Sequence, residues 1–516
     1  MSDRLFRPLV VVALLLGGLV GCQSKRPSPQ SVTMLIENSP TSLDPRIGVD
    51  GQSEHISSLI FDSLVRKNAH FNLDPWIATS WEIPDPLTYR FHLRTDVRFH
   101  NGKALTAADV KYTLDSMRDG TVITAKAGAL AHIDHVDAPE AATLVIHLKE
   151  PDAALLWNLS DGAIGIVPVG SGRDFAFHPI GSGPFRFVSQ MQDDEVVLER
   201  SENSWGPRPA IARVRFAVVP DSITRALELE KGSADVCINC LTADMIYALA
   251  KRPDLQVVSG PGTVLNYISF NSQDSVLRDV RVRQAIAYAM NRPLIIQSLW
   301  RDRARLASSL LPPEHWAWTA DVQQYPYEPG KANTLLDEGG WKRGRDGIRF
   351  HLTMKTSTDE TSRLLAMVLQ QQLRDVGIAL EVRSFEFATF YSDISKGAFQ
   401  MYTLRWIGGN EDPDIFHYAY DTRMFPPHGA NRGRYSNAAL DKLIREGGMA
   451  SDQAVRRADY VKVQQIVAAE LPSINLWYLD AVLVHTQRLG NVQVSGSGNF
   501  DFLRTATVAD VASHSR

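Results

Sequence analysis

The fold class predicted for this 516-residue chain is mixed α/β, and three observations predict it. Tyr89, Phe91 and Leu93 alternate with Arg90, His92 and Arg94 at the period of a half-buried strand, and helical spacing at Val110, Leu114 and Met117 follows within thirty residues. Leu365, Val368, Leu369, Leu373 and Val376 mark a helix that ends at Gly377, and Ile378, Leu380 and Val382 alternate immediately after it. Past the N-terminal leader roughly 500 residues remain, room for two or three domains.

The first thirty residues stand apart from the fold. Arg4 and Arg7 form a basic start, Leu9 to Val20 is apolar, and Leu19-Val20-Gly21-Cys22 resembles a lipobox, so residues 1–21 read as a lipoprotein signal peptide and Cys22 as the lipidated residue. The apolar stretch falls short of the roughly twenty residues that span a bilayer. Acyl chains on Cys22 would hold the protein at a membrane surface, and residues 22–31, rich in Ser, Pro and Gln, read as a tether.

Val32 to Glu37 predicts the first strand, and Gln52 to Val65 a helix that turns Ile56, Leu59, Ile60 and Leu64 inward. In the block 74–172, Asn101-Gly102 supplies a tight turn after Phe99, Thr106 an N-cap, and Asp109 the negative charge favoured in a first helical turn. Ile211 to Pro220 reads as a strand, Ile223 to Lys231 as a helix closed by Gly232, and Val264 to Phe270 as another strand. Asp279 caps a helix with Val282, Ala285, Ile286, Ala289 and Met290 on one face, and a last helix runs from Asp452 to Glu470 before Pro472. Ile474 to Val484 is an apolar run, and there is no internal repeat.

The order Ser80-Trp81, Asp85, Thr88-Tyr-Arg-Phe-His-Leu-Arg94, Asn101-Gly-Lys103 and Leu105-Thr-Ala-Ala-Asp-Val110 resembles the signature of extracytoplasmic solute-binding protein family 5, the dipeptide and oligopeptide-binding group of ABC importers. The similarity continues through Ser42-Leu-Asp-Pro45, Ile60-Phe-Asp-Ser-Leu64, Gly181-Ser-Gly-Pro-Phe185, Phe270-Asn271 and Arg281-Val-Arg-Gln-Ala285. It implies a two-lobed periplasmic-binding-protein fold, type II, with an extra subdomain in lobe I and a hinged cleft. On that pattern lobe I covers 32–270 with the subdomain at about 74–172, lobe II covers 271–473, and 474–516 returns to lobe I.

The formal net charge of -4 and a pI near 6.4 argue against nucleic acid as a partner. Catalysis finds no support: there is no Gly-x-Ser-x-Gly elbow, the Gly-Lys pairs at 102 and 330 lack the Ser or Thr of a P-loop, and the 14 histidines show no ligand spacing. No enzyme activity, cofactor or metal is expected. Cys237 and Cys240 are too few for a zinc site; they read as small buried residues, with a disulfide or redox pair as alternatives.

The resemblance places the cleft segment at Arg405 to Asp414. Dipeptide and oligopeptide binders of this family carry a carboxylate three positions after the Trp that corresponds to Trp406, paired with the ligand's α-amino group; here that position is Gly409. Asn410, Glu411 and Asp412 follow, with Glu411 or Asp412 able to take over the role, while Asp412 and Asp414 also suit turn formation around Pro413. The arginine that meets a dipeptide's carboxylate is also missing, and Lys355 offers a point charge without the bidentate fork. Trp406 and Tyr267 are candidate pocket walls, Gln52 and Ser53 place helix N–H groups toward a polar ligand or serve routine capping, and Asn271 satisfies backbone at the lobe crossing. The expectation is a monomeric, lipid-anchored receptor that captures a peptide or peptide-like solute and delivers it to ABC permease subunits. A non-peptide solute such as a metal chelate, glycan or opine-like compound is the alternative, and a thiol-redox or chaperone-like lipoprotein a third.

Overall fold

The computed structural model describes residues 30–68, 70–160, 164–408 and 411–509. The signal peptide, Cys22 and tether residues up to 29 lie outside these residues, as do Gly409 and Asn410; Ser31, read as the end of the tether, opens the first strand. No described helix is long and apolar enough to cross a membrane.

Two large sheets define two lobes. The first runs in the order Leu255–Gly260, Ala481–Thr486, Val236–Ile238, Ser31–Ile36, Arg213–Val218, Glu195–Arg200, Phe185–Met191. Its central strand Ser31–Ile36 is parallel to both neighbours and shows no exposed side chain after its start, as a strand covered on both faces must. The second sheet runs Ala304–Leu306, Ser473–Leu479, Leu265–Phe270, Met401–Trp406, Phe350–Ser357, Ile378–Phe385. Its last three strands are parallel, and the helix Glu360–Asp375 carries the chain from Phe350–Ser357 to Ile378–Phe385. Gly377 sits between helix and strand at a φ of 88°, a conformation costly for any residue with a Cβ.

The block after the first helix forms its own antiparallel sheet, in the order Ala78–Asp85, Thr88–Leu93, Thr143–Leu148, Ile133–Glu140, covered by the helix Ala107–Arg118. Tyr89, Phe91 and Leu93 point into a core with Val110, Leu114 and Met117. The Asn101-Gly102 turn closes through Gly102 N–H to the Phe99 carbonyl at 2.8 Å. At the helix start Asp109 accepts from the Thr106 N–H and hydroxyl, each at 2.9 Å, so the carboxylate leads the cap. Asp279 caps its helix as expected, accepting from Arg281, whereas Asp452, expected as the first residue of the last helix, is its cap and accepts from Ala454 and Val455.

The lobe boundaries differ from expectation. Leu265–Phe270 pairs with Met401–Trp406 and Ser473–Leu479, so it belongs to the second sheet and the first crossing lies at 261–264, ahead of Phe270. The run Ile474 to Val484 is two strands: Ser473–Leu479 stays in lobe II, and after Asp480 the strand Ala481–Thr486 joins lobe I. An apolar strand reads the same in either sheet, and pairing alone decides which one it enters. Asn271 does satisfy backbone, donating to the Phe399 carbonyl at 2.9 Å, but inside lobe II.

The two crossings lie against each other. A Cβ on Gly262 would stand 2.1 Å from the Leu479 carbonyl oxygen and 2.8 Å from the Ala481 nitrogen, both backbone atoms. Gly262→Ala is therefore expected to force the crossings apart and cost roughly 1 to 3 kcal/mol, the usual penalty of overpacking. Urea unfolding at constant m-value is the measurement.

Candidate functional site

The carboxyl ends of the parallel strands in an open α/β sheet are where ligands bind, and in both lobes those ends face the crossings. After Ser31–Ile36 the chain runs through 37–50 to the helix Gly51–Ile60, which forms one wall of a small cavity with Ser53, Glu54, Ser57 and Ser58. Trp76, Lys126, Arg66 and Gly165 close its other sides.

Ser53 is absorbed in capping. Asp50, the N-cap, accepts from the Ser53 N–H at 2.9 Å and takes the Ser53 hydroxyl as well, while the Ser53 Oγ accepts from the Ser42 N–H at 3.2 Å. Burial works against the charge on Asp50, and the bonds from Ser53 and Thr41 still hold its carboxyl below the usual range. The Gln52 Oε1 is buried without a hydrogen-bond partner.

Glu54 is different. Its carboxylate takes no hydrogen bond among the described residues, and its ion pair with Lys126 spans 3.8 Å. Burial pushes its carboxyl up, while the charges of Lys126 and Lys67 act in the opposite sense. A half-buried carboxylate on a cavity wall, pushed toward neutrality and underused as an acceptor, gains from an incoming ammonium. Sequence reasoning missed Glu54, because as an acidic residue in a first helical turn it looks like ordinary dipole complementation.

The residues that line this cavity all belong to lobe I, and the lobes meet through side chains next to it. Lys67 Nζ lies 3.0 Å from Glu411 Oε2, a pair spanning the lobes, with the Glu411 side chain 6% exposed and that of Lys67 25%. Lys67 also stands over the Trp157 ring at 5.3 Å. His315 Nε2–H donates to the Glu411 carbonyl at 3.1 Å and its Nδ1 accepts from the Ala317 N–H, and burial drives its pKa down to about 3, so the ring is neutral. Further contacts between lobes are Gln453 Nε2–H to Asn72 Oδ1 at 3.1 Å and the Ala153 N–H to the Gly448 carbonyl at 3.0 Å.

The structure separates the remaining candidates. Asp412 accepts from the Asp414 N–H at 2.8 Å and lies 3.5 Å from Arg456, which is the turn-forming role. Lys355 Nζ is 2.6 Å from Asp393 Oδ2 within lobe II, so its charge is already matched. Tyr267 is buried beneath Trp406, their rings 5.5 Å apart and nearly parallel, and both line a separate small lobe II cavity with Tyr402, Tyr420, Asn431 and Ser473. Near this stack Arg432 is buried, donates to the Tyr391 hydroxyl at 2.7 Å and keeps Nη1 without a partner. Burial disfavours its charge, and the tyrosines 267, 402 and 391 more than offset that. Nothing in the spacing of Asn431-Arg432-Gly433 marks it.

Asp414 adds a pH dependence. Burial and the neighbouring Asp412 push its carboxyl up to about 6. A raised carboxyl pKa means the folded state holds the proton more tightly, so this stability is complete below the unfolded value of 3.8 and lost as pH rises through about 6. Asp414→Asn is expected to flatten that part of the stability profile, measured as urea midpoints across this window.

Cys237 and Cys240 are joined by a disulfide and are 1% and 5% exposed, which leaves the sulfurs closed to partner thiols.

Two sheet-centred lobes joined by paired crossings have the architecture of a two-lobed periplasmic-binding-protein fold. The model for bacterial extracellular solute-binding proteins, family 5 Middle, matches residues 72–424, and the chain belongs to this family. It is 26% identical over 467 residues to the dipeptide-binding protein of Escherichia coli, covering 85% of this chain and 87% of that one. To heme-binding protein A of Haemophilus influenzae it is 27% identical, covering 88% of each. The crystal structure of the ABC transporter substrate-binding protein CtaP from Listeria monocytogenes superposes with a TM-score of 0.84 at 24% identity, over 93% of this chain and 99% of that one.

Proposed function

We propose that this protein is the lipid-anchored receptor of an ABC importer, that it takes a peptide or peptide-like solute with a free amino group into the interlobe cleft, and that it hands the solute to the permease. The observation that carries the reading is Glu54: position 409 holds no carboxylate, Glu54 lines a lobe I cavity with only the 3.8 Å pair to Lys126, and Glu411 and Asp412 are committed to Lys67 and to the Arg456 turn. Closure excludes water from the Glu54 site, and there an ammonium–carboxylate pair is strongest. Cys22, following the apolar leader, supplies the anchor, and the likeness to the dipeptide-binding protein supports the cargo class.

The test is a thermal-shift comparison of short peptides with free and acetylated N-termini. Free-amine peptides are expected to raise the unfolding temperature and their acetylated forms to fail; equal shifts would remove Glu54 as the amine partner. Heme-binding protein A is as similar to this chain as the peptide binders are, and favours a non-peptide solute as the second reading.

A further inference from the structure

The outer face of the lobe I subdomain carries a cluster that the solute cleft does not use. His135 and His147 face each other directly across the antiparallel pair Ile133–Glu140 and Thr143–Leu148, and Asp137 lies two residues beyond His135 on the same face. One ligand atom from each of the three lies within 4.8 Å of the others. The Asp137 Oδ2 is 3.6 Å from His135 Nε2 and 3.7 Å from His147 Nε2, and the two rings are stacked with centroids 4.3 Å apart. Tetrahedral ligands at roughly 2.0 to 2.1 Å from zinc stand about 3.3 Å apart, so small side-chain rotations bring these atoms onto one ion.

The second observation is the orientation of His135. The strand pairing shifts register between Ile133 and His135, and at this irregularity Asp134 Oδ2 accepts from His135 Nδ1–H at 2.8 Å. That bond fixes the tautomer whose Nε2 lone pair is free, and a carboxylate behind a histidine is the usual support of a metal-ligating imidazole. All three ligand side chains are accessible, at 53%, 56% and 33% exposed for His135, Asp137 and His147.

We propose that His135, Asp137 and His147 form a surface site for a divalent late transition metal, with Asp134 as a positioning residue and water in the remaining position. Two imidazoles and one carboxylate suit zinc, nickel or copper and discriminate against calcium and magnesium, which favour all-oxygen shells. The sequence shows no ligand spacing because the second histidine lies on the neighbouring strand, where only the register places it.

The test is equilibrium dialysis of the metal-stripped protein against Zn2+ in the presence of excess Mg2+ and Ca2+. Wild type is expected to bind one equivalent more than the His135→Ala, His147→Ala double variant. Circular dichroism and solute binding should be unchanged in that variant, since these side chains lie on the surface. Asp134→Asn is expected to keep the stoichiometry and weaken zinc binding by about tenfold. Equal zinc uptake by wild type and double variant, or displacement of the zinc by Mg2+, would overturn the site and leave His135, Asp137 and His147 as surface ion pairs; an unchanged affinity in Asp134→Asn would remove the positioning role.

Discussion

Glu54→Gln is expected to weaken binding of free-amine peptides by roughly 10- to 100-fold, the equivalent of one charge-assisted hydrogen bond of about 1.5 to 3 kcal/mol. The amide keeps the shape and the helix position and removes only the charge, so an acetylated peptide should not distinguish the variant from wild type. pH supplies an independent reading. Burial raises the Glu54 carboxyl, and only its ionised form pairs with an ammonium. Acidification should therefore weaken the wild-type complex at a higher pH than an ordinary carboxylate would dictate, and this dependence should vanish in Glu54→Gln. Isothermal titration over a pH series measures both effects.

Lys67→Ala should shift the lobes toward the open state. The Glu411 side chain is 6% exposed and its carboxylate faces Lys67 from across the cleft. Removing the lysine leaves a buried charge uncompensated, a loss of about 3 kcal/mol given the partial exposure of Lys67. In an open protein both groups are solvated, so the penalty falls on the closed state and reduces the closed fraction by roughly 100-fold relative to the open one. Small-angle scattering in saturating solute should show a larger radius of gyration than wild type. The double variant Lys67→Ala, Glu411→Gln should recover most of the closure, because no buried charge is then stranded; a double variant as open as the single one would assign the effect to lost packing on Trp157.

The features legible in the sequence are those decided within a few residues. The Asn101-Gly102 turn, the Asp279 cap and the stop at Gly377 depend on local backbone geometry, and each is where the spacing puts it. The sheet that Leu265–Phe270 enters is not local, and neither is the split of Ile474 to Val484 between two lobes: hydrophobic period records burial and carries no information about the partner strand. The site follows the same division. The Asp412 turn was readable around Pro413, whereas the pairing of Lys355 with Asp393 needs an intervening strand and helix, and that of Lys67 with Glu411 needs both lobes to be in place. Glu54 was hidden by its resemblance to a helix-dipole residue. Only the cavity that it lines gives it a second role.

Native mass spectrometry of the freshly purified protein, before and after mild denaturation, tests the central claim most directly, since a closed cleft retains what it captured. A ladder of short peptide masses with free N-termini, depleted in Glu54→Gln, is the predicted result. A single discrete non-peptide mass, carried equally by wild type and Glu54→Gln, would contradict it.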